Sequence, residues 1–139
     1  MAGFSLIELT IVLGVITILL SFGVPAYKSF VSTQRLRGST ENLAAMIRLA
    51  RERAMTQGQD QPLHFWEDAY DCDFHVHIGT VVSHQWSFPP GVHYAAETTH
   101  TILMKKDGTA DPSGVVILKN DRGRRDTLSV LSSGIVLLR

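Results

Sequence analysis

Gly3-Phe4-Ser5-Leu6-Ile7-Glu8 opens an apolar run that continues to Tyr27, and the fold turns on how that run is read. No charged side chain occurs from Leu9 to Tyr27. As a helix rising about 1.5 Å per residue, this stretch covers roughly 28 Å. The hydrocarbon core of a bilayer is about 30 Å thick. A helix also bonds its backbone groups internally, which a bilayer requires, so the run is expected to span a membrane as a helix. Two residues exceed what a plain anchor needs. Glu8 places a carboxylate one residue before the run, where an acid costs about 2.5–3.5 kcal/mol on insertion scales and usually has a partner. Pro25 interrupts backbone bonding near the far end. A cleaved secretory signal would have a basic start and an apolar stretch of about 7–15 residues; this start has no Lys or Arg and the stretch is longer. A plain signal anchor remains compatible with the composition.

Gly3-Phe4-Ser5-Leu6-Ile7-Glu8-Leu9 resembles the processing site of type IV pilins and type II secretion pseudopilins. Pro25, Tyr27 and Phe30 fall where many of these proteins have a helix-kinking proline followed by aromatics. The resemblance implies cleavage by a prepilin peptidase between Gly3 and Phe4, N-methylation of the new N-terminal Phe4, and an assembly role for Glu8. Residues 1–3 are then a leader or its remnant. Met1-Ala2-Gly3 is short and lacks the basic residues such leaders usually carry.

The chemistry of the motif is readable in its own right. After cleavage Phe4 would carry a free amine, positive near neutral pH. Glu8 stands one helical turn further on. In a low-dielectric layer the two charges attract strongly, and each alone is costly. The pair can close within one helix, or Glu8 of one subunit can take the amine of the next. The resemblance implies the second arrangement, which would set the axial register of subunits in a filament.

The chain has 139 residues, and the 112 beyond Tyr27 are enough for one modest core. Net charge is zero, so composition makes no global case for nucleic acid. The charge is uneven. Residues 61–100 carry Glu67, Asp68, Asp71, Asp73 and Glu97 with no Lys or Arg, whereas 101–139 are predominantly basic. Such asymmetry can orient a subunit among neighbours; a normally solvated surface explains it as well. A single Cys72 excludes an internal disulfide, so packing alone must hold the domain, and Cys72 is expected to be buried.

From Tyr27 to Gln57 the pattern stays helical. Leu36, Leu43, Ile47, Ala50 and Ala54 share one face with Met46 beside them. Gly38-Ser39 is a weak point where the helix is expected to bend or restart, capped by Ser39 or Thr40. Gly58 reads as the stop. Beyond it come short strands: Leu63 to Trp66, Phe74 to Ile78, Val81 to Trp86, Ile102 to Lys105, Val115 to Leu118, and a closing hairpin of Leu128 to Leu131 with Ile135 to Leu138. Pro89-Pro90-Gly91, Asp107-Gly108, Asp111-Pro112-Ser113-Gly114 and Asn120-Asp121-Arg122-Gly123 read as turns and loops. The expected fold class is α+β: a long N-terminal helix, half transmembrane and half amphipathic, packed on an antiparallel β-sheet domain.

The second half narrows the resemblance. Leu49-Ala50-Arg51-Glu52-Arg53-Ala54 through Leu63, Leu103 to Ala110, and Leu128 to Gly134 are similar to segments of the GspH/FimT group. Residues 64–100 match least. The pilin-like layout is then 1–3 leader, 4–27 transmembrane or filament-core helix, 28–58 amphipathic helix half, and 59–139 β-rich domain.

Three constellations compete for chemistry. His75 and His77 share a strand face behind Asp71, Cys72 and Asp73, and two His at this spacing can ligate zinc. An exposed polar strand face explains the pair more simply, so no metal is expected. Arg122-Gly123-Arg124-Arg125 reads as a basic loop able to contact DNA phosphates. Some relatives of the group act as DNA receptors and resemble one another in a C-terminal Gly-Arg-x-Arg motif. Here the matching positions are Gly134-Ile135-Val136-Leu137, both arginines replaced by apolar residues, so DNA is not favoured. No nucleophile elbow, phosphate loop or His-Glu-x-x-His motif occurs, and the chain is not expected to be an enzyme or to need a cofactor. Trp66 and Trp86 suit the core or the domain edge.

The resemblance therefore implies a structural minor pilin or pseudopilin. It would sit in the bacterial inner membrane with its domain in the periplasm, then near the tip of a type IV pilus or type II secretion pseudopilus. Its partners would be other pilins, the prepilin peptidase, the inner-membrane assembly platform and membrane lipid. The alternative is a filament-borne DNA receptor for natural transformation.

Overall fold

The computed structural model describes residues 5–65, 72–78 and 81–139. Gly3 and Phe4, Trp66 and the acids Glu67, Asp68 and Asp71 lie outside the described residues. The chain begins with α1 (Leu6–Gln57), 52 residues without a break. Ser5 is its N-cap in an extended conformation. Gly58 ends it in the left-handed region at φ 64°, where glycine carries no Cβ penalty.

Pro25 lies inside this helix. So does Gly38, and the helix does not end and restart there. Gly38 costs a helix about 1 kcal/mol relative to alanine. The flanking Leu36 and Leu43 are fully buried, and burying a leucine side chain gains about 1.5–3 kcal/mol. Packing therefore outweighs local propensity. Ser39 and Thr40 do not cap a second helix. Both are buried, and the Thr40 hydroxyl donates back to the Leu36 carbonyl at 2.9 Å.

Eight strands follow: β1 (Gln61–Phe65), β2 (Phe74–Ile78), β3 (Val81–Trp86), β4 (Val92–Tyr94), β5 (Thr101–Met104), β6 (Gly114–Asn120), β7 (Arg125–Val130) and β8 (Val136–Leu138). They form two four-stranded sheets, ordered β3-β2-β1-β5 and β4-β6-β7-β8, with antiparallel neighbours throughout. Both pack against the second half of α1. The core joins Leu36, Leu43, Ala44, Ile47, Ala50 and Ala54 of the helix to alternate residues of the strands. The first sheet supplies Leu63, Phe65, Phe74, Val76, Ile102 and Met104; the second supplies Val92, Val116, Leu118, Leu128, Val130 and Val136.

Tyr94 links the two sheets. Its hydroxyl donates to the Asp73 carbonyl at 2.8 Å, and its ring meets Phe88 edge-on, which in turn meets Trp86. Burial, with Asp73 and Cys72 nearby, raises the phenol far above its usual range, so it stays a neutral donor. Cys72 is buried, as its isolation in the sequence suggested.

Arg51 fastens the domain to the helix. Its Nε donates to the Gly108 carbonyl at 2.8 Å, and a terminal nitrogen donates to the Ser133 carbonyl at 3.3 Å. The turns carrying these carbonyls need glycine. Gly108 has φ 82° and Gly134 has φ 75°. A Cβ on Gly134 would collide with the Gly108 carbonyl and approach Arg51 Nε to 2.7 Å. Gly134→Ala is therefore expected to cost about 2 kcal/mol or more, from a left-handed backbone and a backbone clash together. Thermal unfolding of the detergent-solubilised chain checks this: its midpoint should fall by several degrees, while Gly123→Ala, which meets no neighbour, should fall less.

Candidate functional site

From Leu6 to Tyr27 the side chains of α1 are exposed. Leu6, Ile7, Leu9, Ile11, Leu13, Ile16, Leu20 and Tyr27 are all exposed, and Phe22 is 77% exposed. Among the described residues this is the one helix long and apolar enough to cross a membrane by length and composition. Its few polar side chains are satisfied within the helix. The hydroxyls of Thr10, Thr17 and Ser21 each donate to a carbonyl three or four residues back at 2.8 Å. They therefore present no unmade hydrogen bond to an apolar surround.

Glu8 is the exception in kind. It is the acid of the first turn, where the helix dipole favours negative charge. Its Oε2 accepts from the Ser5 backbone N–H at 3.1 Å. In the single chain the carboxylate thus folds back on its own helix start. That contact is exposed and holds one oxygen only, so Glu8 retains acceptor capacity for a cation from a neighbour.

The arginines expected to form one basic loop divide between two elements. Arg122 and Arg124 sit in a tight turn whose backbone N–H groups both bond the Asn120 side chain, at 3.1 and 2.9 Å. Arg125 belongs to β7, paired across the ladder with Lys119. Its guanidinium faces Glu97 at 3.4 Å. Arg124 also lines a groove where α1 meets the end of the second sheet, opposite Arg37 and Glu41, with Asp126 and Arg139 beside it. The groove carries both signs of charge. It offers no uniformly basic track for a phosphate backbone.

The expected exposed face of His75 and His77 is not what the strand presents. His75 is only 1% exposed and His77 is half-buried. Alternation places both on the side of the first sheet away from α1, as expected, but that side is covered at His75. The residue that sequence spacing missed is His64 of β1, which pairs in register with His75. Proximity across a ladder leaves no local signature in the chain.

No family model matches the sequence, and neither does any curated protein. Solved structures do match in fold. The chain is similar to the type IV minor pilin FimU of Pseudomonas aeruginosa strain PAO1, with a TM-score of 0.63 at 17% identity over 79% of this chain and 92% of that one. It is also similar to the minor pseudopilin EpsH from the type 2 secretion system of Vibrio cholerae, with a TM-score of 0.57 at 11% identity over 76% and 96%. The chain therefore has the pilin-like fold of minor pilins and minor pseudopilins, as its first residues led one to expect.

The Glu97 carboxyl is held below the usual carboxylate range, first by the backbone N–H of its own residue and then by Arg125. A depressed folded-state value means the interaction is present above the unfolded pKa and is lost as pH falls through the folded one. An NMR titration of Glu97 should give a midpoint below that of an unperturbed glutamate. Arg125→Ala should raise the midpoint only part of the way back, because the backbone N–H also lowers it.

Proposed function

We infer that the chain is a structural subunit of a pilus-class filament, a minor pilin or minor pseudopilin. The observation that carries this reading is the division of α1. One half is buried in the domain, and the other is a fully exposed apolar rod with a single carboxylate at its tip. A rod of that kind needs an apolar surround along its whole length. A membrane supplies one, and so does a bundle of like helices. The likeness to FimU and EpsH supports the same role, and Pro25 with the aromatics after it supports the type IV pilus over the secretion system.

In this reading a peptidase cuts between Gly3 and Phe4, and Phe4 is methylated. The domain lies in the periplasm while the helix is held in the inner membrane. On assembly Glu8 exchanges its contact with Ser5 for the Phe4 amine of a neighbour. That exchange replaces a neutral donor by a charged one, roughly doubling the strength of the hydrogen bond in an apolar layer. A place near the filament tip is part of this reading. The alternative of a DNA receptor is weakened by Glu97 beside Arg125 and by the mixed charge around Arg124.

Intact mass and N-terminal sequencing of membrane-extracted protein test the processing step, with a chain starting at methylated Phe4 expected. Glu8→Ala should leave membrane extraction and processing unchanged yet reduce the protein in sheared filaments at least ten-fold. Incorporation at the unmodified level would sink the pairing role of Glu8. Gel-shift titration with duplex DNA at low salt should detect no binding that Arg122, Arg124 and Arg125 substitution to alanine removes.

A further inference from the structure

His64, His75 and His77 form a triangle on the first sheet, on the side opposite α1. Their ring centroids are 5.0 Å apart for His64–His75, 5.1 Å for His64–His77 and 5.0 Å for His75–His77. One nitrogen of each ring lies within 4.8 Å of the others. We propose that these three imidazoles are a binding site for a zinc-class divalent cation, with a fourth coordination position taken by water.

The chemistry favours that class. Three neutral imidazoles are borderline-soft nitrogen donors, suited to zinc, copper and nickel rather than to calcium or magnesium. Zn–N bonds of about 2.0–2.1 Å in a tetrahedral site place ligand nitrogens roughly 3.4 Å apart. Ring rotations that bring each nitrogen inward by about 1 Å reach that spacing. The backbone need not move, because His64 and His75 are opposite one another in a hydrogen-bonded ladder. His77 follows His75 by two residues on β2, so alternation puts it on the same side of the sheet, with its ring at nearly equal distances from the other two.

The surroundings are those of an oriented ligand set. His64 Nδ1 lies 3.3 Å from the Thr101 hydroxyl, and His75 Nδ1 lies 3.7 Å from Cys72 Sγ. A partner on one ring nitrogen fixes the tautomer and turns the other nitrogen toward the metal. Bound there, the cation would clamp β1 to β2 on the side of the sheet that the helix does not support.

Full-length, untagged protein in detergent, stripped by chelator dialysis, is titrated with Zn2+ by calorimetry and by competition with a chromophoric chelator. The expected result is one Zn2+ per chain and a higher unfolding midpoint on binding. His64→Gln and His77→Gln, both at half-buried positions, should each weaken binding at least ten-fold with unchanged far-ultraviolet circular dichroism. His93→Gln, on β4 of the other sheet, should bind as the unmodified chain does. Co2+ added to the unmodified chain should give the visible absorption of a four-coordinate imidazole site, saturating at one equivalent. No Zn2+ binding, no such cobalt spectrum, or equal weakening by His93→Gln would each overturn the site.

Discussion

Everything in the domain depends on one helical face. Leu36, Leu43, Ala44, Ile47, Ala50 and Ala54 recur so that a single stripe of α1 is shielded from water, and among the described residues α1 is the helix that packs on both sheets. Without that stripe each sheet would expose a continuous row of large side chains, from Leu63 to Met104 in one and from Val92 to Val136 in the other. Four strands a side cannot bury such faces by themselves. Toward its N-terminus the same helix has no such cover from Leu6 to Tyr27. Its apolar side chains are as dense there, but they point in every direction, so no single sheet could cover them. One element is thus built for two different surrounds, and the change occurs between Tyr27 and Leu36.

Arg51 explains a second regularity. Three segments that resemble the GspH/FimT group lie far apart in the chain: Leu49 to Ala54, Leu103 to Ala110, and Leu128 to Gly134. They meet at one point. Arg51 of the first donates to the Gly108 carbonyl of the second and the Ser133 carbonyl of the third. The turns are held so close that Gly134 has no room for a side chain. Turn carbonyls facing a helix need donors, and a planar guanidinium supplies two at once in fixed directions.

The elements legible in the sequence were those whose signal is local. The apolar run and the amphipathic stripe became one helix, Gly58 ended it, and Phe74 to Ile78 became a strand. Boundaries moved where a ladder partner extended a strand, as with Gln61 before Leu63 and Arg125 before Leu128. Three features depended on distance across the fold and left no local trace. The three-residue strand Val92–Tyr94 follows Pro-Pro-Gly and forms because Leu118 to Asn120 offers it an edge. The division into two sheets is a matter of which strands pair. The cover over His75 is unrelated to alternation, which tells sides apart and says nothing about what lies on each. Gly38 misled for the opposite reason: its local signal was real and packing overrode it.

The unbroken passage of α1 through Gly38 has a mechanical meaning. A pull transmitted along the axis past Pro25 meets no end of the helix at Gly38. It is carried as shear across every contact of the stripe from Leu36 to Ala54 at once, about 27 Å of interface at the helical rise. Shear geometry loads many contacts in parallel, whereas peeling would load them one after another. Arg51 and the glycine turns stand toward the far end of that seam, where they act as a stop against slippage. The amphipathic half of the helix and the domain are thus joined along a whole seam rather than at a point.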